Sequence, residues 1–117
     1  MKADLAELLQ RIPGKATPKW PQGERFAVAL THGTMLVEAY APVGRDPQAP
    51  HAQDELYIVA TGHGEFVAGG ERTAFGPGTV LFVAAGVEHR FENFSDDFVT
   101  WAIFWGPQGG ERESRPR

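Results

Sequence analysis

Turn residues cut this chain at close intervals, and that spacing limits what it can fold into. From residue 24 onward short apolar runs alternate with glycine- and proline-bearing turns: RFAVALT, TMLVEAYA, HAQDELYIVA, EFVAG, TVLFVAA, HRFEN and FVTWAIFWG. The 14 glycines and 9 prolines sit largely between these runs. Roughly eight or more strands at this turn spacing make an all-β sandwich or barrel. One stretch reads as helix, residues 3–11, where Leu5, Leu8 and Leu9 share a face, Asp4 stands at the start and Pro13-Gly14 ends it. The expected organisation is an N-terminal helix and loop over 1–23, a β-barrel over 24–107 and a flexible tail over 108–117.

A chain of 117 residues is expected to enclose one core. Its formal net charge of −4 and the lack of a basic stripe argue against a nucleic-acid partner. It has no cysteine, so any metal must be held by His, Asp, Glu or Gln. The first residues, MKADLAELLQRIPG, carry charges inside their apolar part and do not read as a secretory signal. No stretch approaches membrane-spanning length, and the cytoplasm is the expected compartment.

Several strands are apolar on both faces. In FVTWAIFW, Phe98, Thr100, Ala102 and Phe104 share one face, and Val99, Trp101, Ile103 and Trp105 share the other. One face lines a barrel; the other needs a cover, and a second copy of the chain is the expected one. Phe82, Phe91 and Val59 are expected inside.

Polar residues interrupt this pattern at one place. In PHAQDELYIVATGHGEF, His51, Gln53 and Glu55 alternate, so an extended strand points them the same way, with Tyr57 and Val59 continuing that face. Imidazole and carboxylate suit zinc, iron, manganese and nickel. His89, in GVEHRFEN, is the candidate from elsewhere in the chain. A solvated strand face remains open as the plain reading of the same residues. His32 and His63 sit at turns and read as exposed, Arg90 alternates away from His89, and Tyr57 reads either as a pocket proton donor or as a core residue with its hydroxyl bonded.

Over residues 34 to 105 the sequence resembles a small single-domain cupin. Glu55 is followed by six residues and Gly62, and His51 takes the place of the second His of the first cupin motif, with Ala49 where the first His stands and Gly44 one residue too close. The second motif fits as Gly78, five residues, Ala84-Ala85-Gly86, two residues, His89, three residues and Asn93, with Ala84 replacing proline. The resemblance implies an antiparallel jelly-roll β-barrel, often dimeric, holding one divalent ion (iron, manganese, zinc or nickel) per chain. The implied ligands are His51, Glu55 and His89, with Gln53 as the substitute for the missing His. Glu55 and Tyr57 are the candidate catalytic groups. Two functions follow from the resemblance: a metal-dependent enzyme of dioxygenase or isomerase type on a small organic molecule, or a non-catalytic small-molecule binding or sensory module.

Overall fold

Alternation decides which side of each strand is buried, and here it builds two sheets that face one another. The computed structural model describes residues 1–112. After a short helix α1 (Leu5–Leu9) come β1 (Phe26–His32), β2 (Met35–Tyr40), β3 (Asp54–Thr61), β4 (Gly64–Ala68), β5 (Glu71–Phe75), β6 (Val80–Val83), β7 (His89–Glu92) and β8 (Val99–Trp105). One sheet runs β1-β2-β8-β3-β6 and the other β5-β4-β7. Every strand pair is antiparallel, and the whole is an all-β jelly-roll barrel. Among the described residues no helix is long and apolar enough to cross a membrane.

Strand register sets the inner face of the large sheet. Partners across antiparallel strands point to the same side. Leu36, Phe104, Glu55 and Val83 form one inner row. Glu38, Ala102, Tyr57 and Leu81 form the next, and Tyr40, Thr100 and Val59 a third. The small sheet answers with Phe66, Phe75 and Phe91, which are 4%, 6% and 1% exposed and so fully inside. Tyr57, Phe66 and Phe91 meet edge to face or tilted, with ring centroids 4.8 to 5.6 Å apart. Phe82 lies on the outside of β6, where its neighbours Leu81 and Val83 turn inward; the expectation that it lines the interior is corrected by its 57% exposure. Val59 and Phe91 are inside.

The two outer faces differ in kind. The small sheet shows water a charged lattice in which Arg72 pairs with Glu65 and Glu92, and Arg90 with Glu92. The large sheet shows apolar side chains. At one end α1 covers them, packing Leu8 against Ala27, Ala39 and Trp101. Helix α1 is shorter than the apolar spacing predicts, and Asp4 stands at its N-cap without a side-chain capping bond. Trp20 holds the preceding loop to the body, meeting Tyr40 edge-on at 6.1 Å. At the C-terminal end, the Gly109 and Glu111 amides donate to Ala52 O (2.7 Å) and Asp54 Oδ2 (2.9 Å), so this part of the expected tail is tied to the barrel. The remainder of that tail, residues 113–117, lies outside the described residues.

Candidate metal centre

Two histidines and one carboxylate converge where β3, β7 and the loop before β3 meet. Glu55 begins the inward row of β3 and is 1% exposed; His89 opens β7 and is 3% exposed. His51 comes from the loop, because β3 starts only at Asp54. Its ring is wedged between Phe104 (centroids 4.7 Å) and His89 (5.3 Å). Two bonds hold the loop to the β6–β7 turn: the Gly86 amide donates to His51 O at 2.7 Å, and the Ala85 amide to the side chain of Asp54, at Oδ1, at 3.0 Å. Gly86 has φ +77°, a turn conformation that suits glycine. The loop that carries His51 is therefore held against the turn that leads into His89.

The hydrogen bonds define what the cup offers. His89 Nδ1 lies 2.8 Å from Val87 O, and a carbonyl only accepts, so Nδ1 carries a proton. Nε2 then faces Glu55 Oε1 at 3.1 Å. A neutral His89 would set two lone pairs against each other across that gap, which calls for a proton or a metal ion between them. Burial lowers the His89 pKa, but the Glu55 carboxylate and the Val87 carbonyl outweigh it, and the net direction is up. His51 Nε2 is 3.5 Å from the same Glu55 oxygen. Burial lowers its pKa, with Glu55 opposing and His89 and Lys19 adding to the fall. The ligating atoms of His51, Glu55 and His89 all lie within 4.8 Å of one another. Metal–ligand bonds of about 2.1 Å place neighbouring ligand atoms roughly 3.0–3.4 Å apart; the two separations from Glu55 Oε1, 3.1 and 3.5 Å, match that spacing. Two imidazoles and a carboxylate also match the donor set of zinc and of iron(II) with open positions.

The other two sequence candidates sit differently. Gln53, expected on one strand face with His51, lies before β3 begins, and its Nε2 donates to Thr34 O (3.0 Å) and Gly106 O (2.9 Å). Through these bonds it ties the β1–β2 turn to the end of β8. Tyr57 is fully buried, and its hydroxyl donates to Gln48 Oε1 at 2.9 Å with Glu55 close by. Burial first, and the Glu55 charge next, raise its pKa well above the usual phenol value, so it stays a donor. His32, His63 and Arg90 are exposed.

Asp46 and Gln48, in a segment that reads from sequence as an ordinary loop, form the polar wall behind the cup. Asp46 accepts from the Tyr40 hydroxyl, from both the amide and the side chain of Gln48, and from the Phe91 amide at 2.8 Å. Gln48 in turn meets Tyr57 and His51. Asp46→Ala is expected to lower unfolding free energy by about 1–2 kcal/mol, because it strands the Phe91 amide and the Tyr40 hydroxyl. Urea denaturation measures this; a change within error would show the network adds nothing.

A cavity of about 630 Å³ opens in front of the cup, with Phe26, Leu36, Glu38, His51, Gln53 and Phe104 among its walls. His51 is the side chain shared by cavity and cup. Glu38, missed in the sequence, is the second ionisable wall residue. Burial, and then the charge of Glu55, push its pKa up to about 7. A carboxyl that titrates near neutrality at a cavity wall is suited to exchanging protons with a bound molecule.

A jelly roll with imidazoles and a buried carboxylate gathered inside one end defines a class of small barrel with an interior polar cup. The chain belongs to the cupin domain family, whose model matches residues 36–105. It is 41% identical over 63 residues to an uncharacterised protein of Streptomyces coelicolor, a match covering 54% of this chain and 60% of that protein's length. In structure it resembles a cupin 2 conserved barrel protein of Salinispora arenicola, with TM-score 0.59 at 24% identity over 69% of this chain and 74% of the other. A candidate mannose-6-phosphate isomerase of Ralstonia eutropha has TM-score 0.59 at 21% identity over 80% of this chain and all (100%) of its own. Both structural likenesses show the shared fold.

Proposed function

We propose that this cupin is a metal-dependent enzyme that holds one divalent ion per chain between His51, Glu55 and His89 and acts on a small organic molecule in the adjoining cavity. The observation that carries this reading is the approach of His89 Nε2 to Glu55 Oε1 at 3.1 Å while Nδ1 is committed to Val87 O. When bound, the ion supplies Lewis acidity to a substrate oxygen or activates dioxygen. Isomerase-type and dioxygenase-type chemistry are the two candidates. Glu55 aligns both imidazoles, Tyr57 fixes Gln48, and Phe104 shields His51 on the cavity side. Mannose 6-phosphate, the substrate in the Ralstonia protein's name, does not transfer readily, since its phosphate would meet no Lys or Arg among the described cavity residues.

Elemental analysis of the purified protein beside a His51→Ala/His89→Ala double variant tests the reading. Near-stoichiometric metal in the wild type and none in the variant is the expected result. A wild type without metal, whose thermal stability no iron, manganese, zinc or nickel salt raises, rejects it. A non-catalytic binding module is the second reading, and one observation favours it: the Tyr57 hydroxyl is engaged with Gln48 and is not free on the cavity. A ligand that binds tightly to the metal-loaded protein and is recovered unchanged would select that reading.

We also read the outer face of the large sheet as the contact with a second copy. Val80, Phe82 and Ile58 are 58%, 57% and 36% exposed there, next to Trp105, whose ring lies 6.1 Å from that of Phe82. A contiguous apolar face of this kind marks an interface. Phe82→Glu is expected to shift the protein from dimer to monomer in sedimentation equilibrium. A wild type that is monomeric at high micromolar concentration removes the assignment.

A further inference from the structure

The wall of the cavity in front of the cup carries a carboxyl, Glu38, that the metal cup leaves unused. Glu38 sits mid-way along β2, opposite Val28 on one side and Ala102 on the other. Ala102 pairs in turn with Tyr57. Glu38 therefore points to the inner side of the sheet, in one row with the buried Tyr57 and with Ala102 between them. No fully buried side-chain oxygen among the described residues lacks a hydrogen-bond partner. Among the described residues the influences acting on Glu38 are burial and the like charge of Glu55, with no hydrogen bond and no cation to offset them. Its carboxylate thus faces the open cavity.

Among the described residues the cavity wall holds a carboxyl and no permanently cationic side chain. Glu38 and His51 are the ionisable residues among the described ones lining the cavity, and none of the lining residues is Lys or Arg. Burial favours the neutral form of His51. Basic side chains gather elsewhere: Lys19, Arg25 and Arg45 line a separate cavity of about 510 Å³ between the Trp20 loop and residues 43–47. Of the two carboxylates on this inner face, Glu55 is paired with His51 and His89, so Glu38 is the one left to a ligand. Phe26, Leu36 and Phe104 provide the apolar and aromatic walls.

We infer that Glu38 is a specificity-determining residue, and that the cavity takes a small organic cation seated between its carboxylate and the aromatic wall of Phe26 and Phe104. A desolvated carboxylate without a partner repels anionic ligands and is neutralised by a cationic one. Aromatic faces add attraction for the same charge. The inference deepens the proposed function, since it rests on the cavity being where that function's substrate binds.

Three probes of one shape separate the charge from the shape: choline, its carbon isostere 3,3-dimethylbutan-1-ol, and 3,3-dimethylbutanoate. The quaternary nitrogen of choline cannot ligate a metal. Binding to protein kept metal-free by a chelator, at pH 8 where Glu38 is ionised, is followed by NMR through the amides of Gln53, Phe104 and Gly106. Choline is expected to bind at least about tenfold more tightly than the alcohol, and the carboxylate most weakly. In Glu38→Gln choline is expected to fall to the level of the alcohol, whose own affinity stays unchanged. Equal or tighter binding of the carboxylate, no choline shifts at these amides, or an unaltered choline preference in Glu38→Gln each overturns the inference. Metal content of the same preparation before the chelator is added, and its zinc affinity, keep the two readings apart. A full complement of metal without choline preference sinks the cation site alone, and choline preference in a protein that binds no metal sinks the metal enzyme alone.

Discussion

Glu55→Gln is expected to weaken metal binding by at least about 100-fold while the barrel stays folded. The size follows from position: residues one step removed from a metal already change affinity by roughly 10–100-fold, and Glu55 Oε1 stands 3.1 and 3.5 Å from the two imidazoles. Its side chain is the charged member of the cup and is 1% exposed, so no water replaces it cheaply. The fold is expected to survive because the amide is of equal size and its NH2 can donate to His89 Nε2 while Nδ1 keeps its bond to Val87 O. That exchange turns a charged contact into a neutral one. The His89 pKa is raised mainly by Glu55 against its burial, so in the metal-free variant it is expected to fall. Zinc titration calorimetry at pH 7 reads the affinity, and NMR of the histidine ring reads the titration. An affinity within a few-fold of wild type would mean that Glu55 is not a ligand.

How much of this was legible in the sequence depended on which rule each residue obeys. The inner face at β8 was legible: Phe98, just before the strand, and Thr100 and Ala102 within it are inside, at 1%, 0% and 1% exposure, as period-two alternation requires, although Val99 on the other face is buried as well. Extending the same alternation back to residue 51 failed, because the backbone bends over residues 51–53 and β3 starts at Asp54. His51 reaches the cup from a loop, and Gln53 follows the bend toward Thr34 and Gly106. Motif spacing, which does not depend on strand phase, still brought His51, Glu55 and His89 together. Phe82 was misplaced because TVLFVAA is apolar on both faces, and only the pairing of Leu81 with Tyr57 shows which side points inward. Asp46 and Gln48 carry no local signal, since their partners are up to 45 residues away in sequence, as Asp46 is from Phe91. Glu38 did carry one: in MLVEAYA it shares a face with Leu36 and Tyr40, and a lone charge in such a row is costly unless it has a use.

That cost gives the second large prediction. In the metal-free protein, Glu38→Gln is expected to raise unfolding free energy at pH 8–9 by about 1–3 kcal/mol, and to have no effect below pH 4.5. The carboxyl titrates near 4.5 when exposed and near 7 in the fold. Between these values the folded state holds a proton that the unfolded state has lost, so stability falls as pH rises through the window. The favourable contribution is fully present below pH 4.5 and gone above about 7. Glutamine never ionises, so the variant lacks this decline and gains on the wild type across the window. The rise from 4.5 to about 7 sets an upper figure of about 3.4 kcal/mol; partial contact with the cavity's water lowers it. Urea denaturation of both proteins from pH 4 to 9, in the presence of a chelator, measures the difference curve. A flat curve would show that Glu38 is as well solvated in the fold as in the unfolded chain, and would remove the desolvation on which its attraction for a cation depends. Divalent metal in the cup places positive charge beside Glu55, which contributes to the Glu38 shift, so loading the protein is expected to move the break in the curve to lower pH.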